Sequence, residues 1–347
     1  MLLLAVVASA GLAMWRAYRR SQDPDIILSA LFWLLIPGIL GARAFYVIEY
    51  WEDQFWPAFA EGGLAALLGA VVNIAEGGLV VYGSIIGGTI GLIVFARRCK
   101  VPMLPLFDLL APSLMLGLAI GRIGCLLNGC CYGGLCEQPW AVTFPRSEPP
   151  SYSPPYRAQV ERGLMYGFAI TGNPKRPPVV LWVKPDSPVE KAGLAVKDRI
   201  TAINKYETPV AGVAHWALAE AFEKRWLLEI ERAGAAPVVL PAAEVPPRSL
   251  PVHPTQVYSA LNALLLCLVL LAYDRYAARR DGEVLALLMT LYPIARFILE
   301  VIRTDESALF FTGLSISQNV SLLVLLGTAV MWYYILRQPT GRTWTVG

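Results

Sequence analysis

Seven apolar runs, each about 18 or more residues long, constrain this chain more than any other feature: about 1–18, 26–48, 77–97, 103–121, 256–273, 284–302 and 314–336. Coiled as a helix, such a run crosses about 30 Å of hydrocarbon. In lipid, only helices and closed barrels satisfy their own backbone polar groups. Apolar residues make up 56% of the chain and charged ones 16%, outside the balance of a soluble domain. The expected fold class is therefore a polytopic α-helical membrane protein of about seven transmembrane helices, with an inserted soluble α+β domain. In the first run the basic cluster RAYRR (16–20) follows the apolar core and no cleavage motif appears, so it reads as a span, not a signal peptide.

Basic residues orient the spans. RAYRR (16–20), ARRCK (96–100), DRYAARR (274–280) and LRQPTGR (336–342) end alternate spans on one side, which the positive-inside rule makes cytoplasmic. The loops 49–76, 122–255 and 303–313 then face the exterior, the periplasm if the membrane is a bacterial inner membrane. The formal net charge is only +3 and no basic block occurs, so no nucleic-acid partner is expected. LAALLGAVVNIA (64–75) reads as too short to span and is expected to lie along the interface, with Trp51 and Trp56 as anchors. Gly83, Gly87, Gly88 and Gly91 point to close helix packing.

About 130 residues separate the fourth and fifth spans, too many for a loop without structure. The chain divides on this reading into a first membrane part (1–146), a soluble domain (155–245) and a second membrane part (250–347). Proline-rich borders, SEPPSYSPPYR (147–157) and PAAEVPPRSLP (241–251), read as semi-rigid linkers. Between them, VVLWV (179–183), SPVEKAGL (187–194), HWALAEAFEKR (215–225) and WLLEIER (226–232) mark out the order strand, short helix, strand, longer helix, strand. This order, with GLMYGFAI (163–170) and VKPDSPVEKAGLAVKDRITAINKYE (183–207), resembles a PDZ domain. The resemblance implies a groove for a peptide or protein C-terminus, with Gly163, Leu164, Gly167 and Phe168 forming the carboxylate-binding loop. Lys197 stands where that family has glycine.

Charged residues inside or at the mouth of spans are the functional candidates, because each costs several kcal/mol unless paired or wet. Arg43, Glu49, Arg122, His253, Arg296, Glu300, Arg303 and Asp305 gather on the exterior side. In YPIARFILEVIR (292–303), Tyr292, Arg296, Glu300 and Arg303 share one helical face, which must line a polar interior. GRIGCLLNGCCYGG (121–134) places Arg122 among glycines at the end of the fourth span.

Six segments in order are similar to the prolipoprotein diacylglyceryl transferase family: GARAFYVIEY (41–50), GGLVVYGSIIGG (77–88), FDLLAPSLMLGLAIGRIGCLLNGCCYGG (107–134), HPTQVYSA (253–260), YPIARFILEVIRTDE (292–306) and LSISQ (314–318). The resemblance implies seven spans, no cofactor, and two substrates, phosphatidylglycerol and a prolipoprotein precursor. It implies transfer of the diacylglyceryl group to a cysteine thiol with release of glycerol phosphate. Arg122 matches the family's signature arginine and Arg296 its second arginine at the lipid headgroup, as suits a phosphate that gains charge. Tyr82 stands at the histidine of the third span and Glu300 beside Arg296, which completes the expected catalytic set. Asn128, Gly133, His253, Gln256, Tyr292 and Arg303 are expected around the substrate. Cys125 replaces the signature asparagine, Cys130 the signature glutamate, and Ser259 the glutamate after HPTQ, so the proton acceptor stays open between Glu300 and His253. An inactive relative that binds lipid and tethers proteins through the PDZ-like domain is the alternative. Met1 leads straight into the first apolar run, so no residue of the family's exterior amino-terminal arm is carried over onto this sequence.

Cys125, Cys130, Cys131 and Cys136 cluster on the oxidising side, where one or two disulfides are the first expectation. A metal site is the second reading, against which C-x4-C-C-x4-C is not a usual zinc spacing, so no metal is assigned. A nucleophilic cysteine is the third. Cys99 and Cys267 read as inert packing.

Overall fold

A computed structural model describes residues 1–73, 77–147, 152–302 and 314–344. Its packing divides the chain into two compact units, Met1–Gly121 with Leu261–Ala295 and Ser321–Gly347, and Arg122–Ala260 with Arg296–Val320. Helices α1 (Leu2–Arg19), α2 (Asp25–Glu49), α3 (Trp56–Val72), α4 (Val81–Arg98) and α5 (Met103–Asn128) precede the insert. The insert holds α6 (Pro154–Glu161), β1 (Phe168–Ile170), β2 (Val180–Val183), α7 (Pro188–Lys191), β3 (Ile200–Ile203), β4 (Tyr206–Glu207), α8 (Ala211–Glu223), β5 (Leu228–Arg232) and β6 (Ala235–Leu240). Helices α9 (Thr255–Tyr276), α10 (Glu283–Glu300) and α11 (Ile316–Leu336) follow.

Six helical segments of the described residues are long and apolar enough to cross a membrane: α1, α2, 51–72, α5, α9 and α11. The set differs from the seven runs above at three places. The five-residue π turn Trp51–Phe55 joins α3 into one 22-residue segment, so residues 64–72 are the tail of a longer helix. That helix breaks at Gly63 (φ 65°, ψ −160°). Helices α4 and α10 fall outside the set: α4 carries four glycines and ends on Arg97 and Arg98, and α10 carries Glu283, Arg296 and Glu300.

In the first unit α2 and α4 lie backbone against backbone. A Cβ on Gly41 would strike the carbonyl of Gly83, one on Gly83 that of Gly41, and one on Gly87 that of Pro37. Glycine is needed here because apolar helices in lipid gain their association energy from close packing. Arg43, on the same helix as Gly41, directs all its guanidinium nitrogens at backbone: Nε donates to Val71 O (2.8 Å), Nη1 to Gly77 O and Gly78 O (3.0 Å each), and Nη2 to Ala70 O and Asn73 O. It thereby satisfies the carbonyls left open where α3 ends.

A second polar knot closes the other end of this unit. Arg16, Arg20 and Arg342 all bond the Asp274 carboxylate, at 2.8, 2.5 and 2.8 Å. Asp108 accepts from the amides of Gly282 (2.7 Å) and Leu285 (2.8 Å), capping the start of α10, where a negative charge also suits the helix dipole. Around the knot, Leu92, Phe95, Leu106 and Leu109 form one apolar cluster, and Met115, Leu266, Leu270 and Leu288 another. Helix α9 keeps Ala263, Leu266, Cys267 and Leu270 inside while Leu261, Leu264, Leu265 and Leu268 stay exposed, the two-faced pattern of a helix between protein and lipid.

In the second unit the insert folds on a core of Tyr156, Phe168, Ile170, Leu218, Phe222, Leu228 and Ile230. Its strands form a pair β1-β2 and a sheet ordered β4-β3-β5-β6. The proline-rich borders are not free linkers. They run side by side, Arg146 N donating to Pro247 O (2.9 Å), Ser249 N to Phe144 O (2.8 Å) and Val252 N to Val142 O (3.0 Å). Gln159 of α6 bonds both backbone groups of Leu250. Lys197 has φ 77°, which explains glycine at its counterpart, since a left-handed backbone costs an L-residue energy.

Candidate active site

Helix α5 ends in a way its sequence dictates. Gly129 takes φ 73°, its amide donates to Leu126 O (3.1 Å), and the amide of Cys130 reaches back to Cys125 O (3.1 Å). These two bonds are the Schellman pattern, which returns the residue after the glycine to the last helical turn. Cys131 follows, also left-handed, at φ 60°.

The loop that results is clamped by the HPTQ segment. Gly133 N donates to His253 O and His253 N to Gly134 O, both at 2.9 Å, and Gly134 N donates to Ile302 O at 3.2 Å. Thr255 Oγ1 donates to Cys131 O (2.6 Å) and Gln256 Nε2 to Cys130 O (2.7 Å). Gln256 is 1% exposed, and its Oε1 has no partner among the described residues. Gly133 has no room for a side chain: a Cβ would come within 2.8 Å of His253 and of Thr255. What approaches this glycine is the protein itself. Gln256 likewise turns its amide to the loop. Thr255, which the sequence reading passed over, does the same work, and its signal was its place between Pro254 and Gln256 at the start of α9.

The two arginines of interest stand in different surroundings. Arg296 donates from Nη2 to Ser317 Oγ (3.0 Å) and pairs through Nη1 with Glu300, which is 5% exposed. Arg122 lies one helical turn before Cys125, is half-buried, and makes no hydrogen bond or ion pair among the described residues. A guanidinium has five donors and stays charged, so Arg122, without a partner among the described residues, is open to an anion.

The remaining expectations disperse. His253 Nδ1 is 3.4 Å from the Tyr258 hydroxyl, and Asn128 is exposed at the last position of α5. Tyr82 and Tyr292 belong to the first unit; Tyr82 is half-buried at the second position of α4 and Tyr292 packs on the cluster around Leu288. Arg303 and Asp305 lie outside the described residues.

All six cysteines are free thiols, which replaces the expected disulfides. Instead, the sulfurs of Cys125, Cys130 and Cys131 lie within 4.8 Å of one another. The spacing argued against such a group; the Schellman turn produces it.

In the insert, Gly163 (φ 83°) and Gly167 (φ 92°) flank a 3-10 turn, Leu164–Tyr166, as a carboxylate loop requires. The edge of β1 is occupied, however. Ile170 N donates to Arg162 O (3.0 Å), Phe168 N to Gly163 O (3.4 Å), and His215 Nε2 of α8 bonds Thr171 O (2.9 Å). Phe168 is fully buried and folds against Gly163. An added peptide strand would have to displace these bonds.

Comparison with known proteins agrees with the motif order. The model of the family described as prolipoprotein diacylglyceryl transferase matches residues 1–334. The phosphatidylglycerol–prolipoprotein diacylglyceryl transferase of Rhodopirellula baltica is 36% identical over 369 aligned residues, covering 95% of this chain and 70% of that protein. The protein of the same name in Trichormus variabilis is 36% identical over 141 residues, 41% of this chain and 46% of its own length. A second such transferase of Clostridium perfringens is 31% identical over 168 residues, 48% of this chain and 61% of that protein. The chain thus spans 70% of the first relative and about half of the second.

Proposed function

The chain belongs to the prolipoprotein diacylglyceryl transferase family, and we propose that it moves the diacylglyceryl group of phosphatidylglycerol onto the lipobox cysteine of a prolipoprotein. In the reaction the acceptor thiol loses its proton, its sulfur forms a bond to the terminal glycerol carbon, and the carbon–oxygen bond to phosphate breaks. Glycerol phosphate leaves with the electron pair. The observation that carries this reading is the guanidinium of Arg122 near the end of α5, which has no hydrogen bond or ion pair among the described residues. A fixed fork of donors that meets phosphate only as charge develops lowers the barrier, because it needs no reorganisation at that moment.

Arg296 holds the headgroup, oriented by Ser317 and Glu300. Glu300 is a positioning residue in this scheme, since its carboxylate is engaged by that guanidinium. Tyr82 orients phosphate or water, and Asn128, His253, Tyr292 and Arg303 complete the substrate surroundings. Gly133 and Gln256 act through the loop that they hold. Seven spans follow if α4 and α10 cross with the bundle, their glycines and charges facing protein, in a bacterial inner membrane with the insert in the periplasm. We read the insert as PDZ-like from its element order and its glycine-flanked turn. The tethering alternative is weakened by the occupied β1 edge.

The test is transfer from labelled phosphatidylglycerol to a lipobox peptide by the purified full-length protein. A labelled thioether is expected with the unaltered chain and is lost with Arg122→Ala or Arg296→Ala. Binding of the lipid with no thioether under any condition would favour the inactive relative.

A further inference from the structure

The thiol cluster has no part in the scheme above, and it is built rather than incidental. Three features of the backbone bring the sulfurs together. The Schellman bonds set Cys130 against Cys125, the position where this motif ordinarily makes an apolar contact. The left-handed Cys131 turns the third side chain to the same place. Gln256 and Thr255 then fix the carbonyls of Cys130 and Cys131 at 2.7 and 2.6 Å, so two of the three sulfur-bearing residues are held from outside their own segment. Cys130 Sγ also points at Cys125 O, 3.7 Å away.

Two chemistries suit close thiols, and geometry separates them. A disulfide needs a sulfur separation of about 2 Å and uses two of the three sulfurs. Tetrahedral zinc with bonds of about 2.3 Å sets its sulfurs about 3.8 Å apart, a closure of about 1 Å from the largest separation of 4.8 Å. It uses all three. A zinc centre with three protein ligands leaves its fourth position open, as catalytic rather than structural sites do. The two candidate bases of this unit are otherwise engaged, Glu300 with Arg296 and His253 with Tyr258.

We propose that Cys125, Cys130 and Cys131 hold one thiophilic divalent cation of the zinc type, and that its open position takes the acceptor cysteine as a thiolate. The proposal rests on the transferase reading for the identity of that fourth ligand, not for the metal site. On loading, the three protein thiols release their protons to water. The acceptor thiol does the same when it coordinates, because a coordinating thiol is deprotonated outright. Its lone pair then forms the carbon–sulfur bond, the carbon–oxygen bond breaks, and the phosphate departs beside Arg122, one turn from Cys125. The product thioether carries no charge and leaves the metal, which reopens the site. No oxidant or reductant is consumed.

Cobalt(II) reports on the site without activity. Full-length protein in detergent, kept reduced with a phosphine, is titrated with cobalt and read for thiolate-to-cobalt absorption and tetrahedral visible bands. One equivalent is expected to bind. Cys125→Ser, Cys130→Ser and Cys131→Ser should each lower the affinity at least tenfold, as loss of one ligand does, while Cys99→Ser retains it. A lipobox peptide should shift the visible bands, and its Cys→Ser counterpart should not. Absence of cobalt binding by the reduced protein, or binding unchanged in all three serine variants, overturns the site. Cobalt bound without any shift by the peptide overturns the thiol-activation step. If no thioether forms with any metal, the transferase reading fails instead, and the cobalt spectrum still decides the site. To separate loss of the site from misfolding of a serine variant, restoration of transfer by zinc after chelation of the unaltered protein is measured alongside; transfer indifferent to chelation counts against activation.

Discussion

Replacing Arg122 and Arg296 in turn separates a residue kept for chemistry from one that also holds the fold. Arg122 has no hydrogen bond or ion pair among the described residues, so Arg122→Ala removes no internal contact and should leave thermal unfolding in detergent almost unchanged. Its loss should appear in transfer, where deleting one preorganised donor to a developing charge costs about 10²- to 10³-fold in rate, or about 2.7–4 kcal/mol. Arg122→Lys keeps the charge but not the fork and should fall between. Arg296→Ala differs, because it takes an ion pair from the buried Glu300 carboxylate and a hydrogen bond from Ser317 Oγ. Truncating one side of a buried pair costs about 3–5 kcal/mol, so stability and transfer should fall together, and Glu300→Gln in the Arg296→Ala background should recover part of the stability but none of the activity. The assays are labelled-lipid transfer to a lipobox peptide and a thermal melt on the same preparations. Equal drops in melting temperature for Arg122→Ala and Arg296→Ala, or transfer by Arg122→Ala within a fewfold of the unaltered protein, would refute the distinction.

Gly41→Ala and Gly83→Ala each drive a methyl into the facing carbonyl and should destabilise the first unit by about 1–3 kcal/mol; Gly121→Ala, with nothing within 4 Å, is the control that should leave the melt unmoved. Asp274→Asn leaves Arg16, Arg20 and Arg342 without their shared carboxylate and should cost about 3–5 kcal/mol, read as lower yield and melting temperature; an unaltered melt would mean that Asp108 carries the knot. In the insert, burial holds the His215 imidazole below its usual 6.5 despite its bond to Thr171. The folded form therefore binds fewer protons than the unfolded one as pH drops below 6.5, and stability present above that value is lost on acidification. Asp198 adds a second loss below 3.8: burial raises its pKa, but Arg232 at 2.7 Å and the Ala195 amide outweigh burial and lower it. The protection of α8 amides against exchange in the full-length protein, taken relative to the intrinsic rate at each pH, should fall from pH 7 to pH 5, and His215→Gln should flatten that fall; protection independent of pH over the interval would count against the assignment.

The helices and the insert's element order were legible because periodicity and length are properties of a single segment. VVLWV and WLLEIER carry strand alternation, and their strands, β2 and β5, are found at 180–183 and 228–232. The glycine pattern at 83, 87, 88 and 91 spoke for close packing, and the Gly41–Gly83 contact supplies it. What escaped was everything decided by a partner distant in sequence. The border prolines read as linkers because nothing local says that Arg146 meets Pro247. GLMYGFAI looked like an open carboxylate loop because its sequence does not tell that Arg162 and Gly163 close the edge of β1. The sulfur cluster is an intermediate case. Gly129, with Cys125 and Cys130 in the Schellman positions, was enough to bring two sulfurs together, but the usual zinc spacings do not include that turn.

Arginine makes the same point across the whole chain. In the sequence, Arg16, Arg43, Arg122 and Arg296 are alike, each a charge too costly for lipid unless something answers it. In the structure each has a different answer. Arg43 is saturated by five carbonyls, and Arg16 shares a carboxylate with two other arginines. Arg296 is divided between Glu300 and Ser317, whereas Arg122 has no answer within the described chain. Desolvating a charge without a partner is tolerable only where water or a ligand reaches it, so the cost that looked uniform in sequence is discharged inside the protein at three positions and left for the substrate at one. Motif position alone would have ranked Arg43 and Arg122 together; the donor count separates them, and it makes the end of α5 the place to test for an anion.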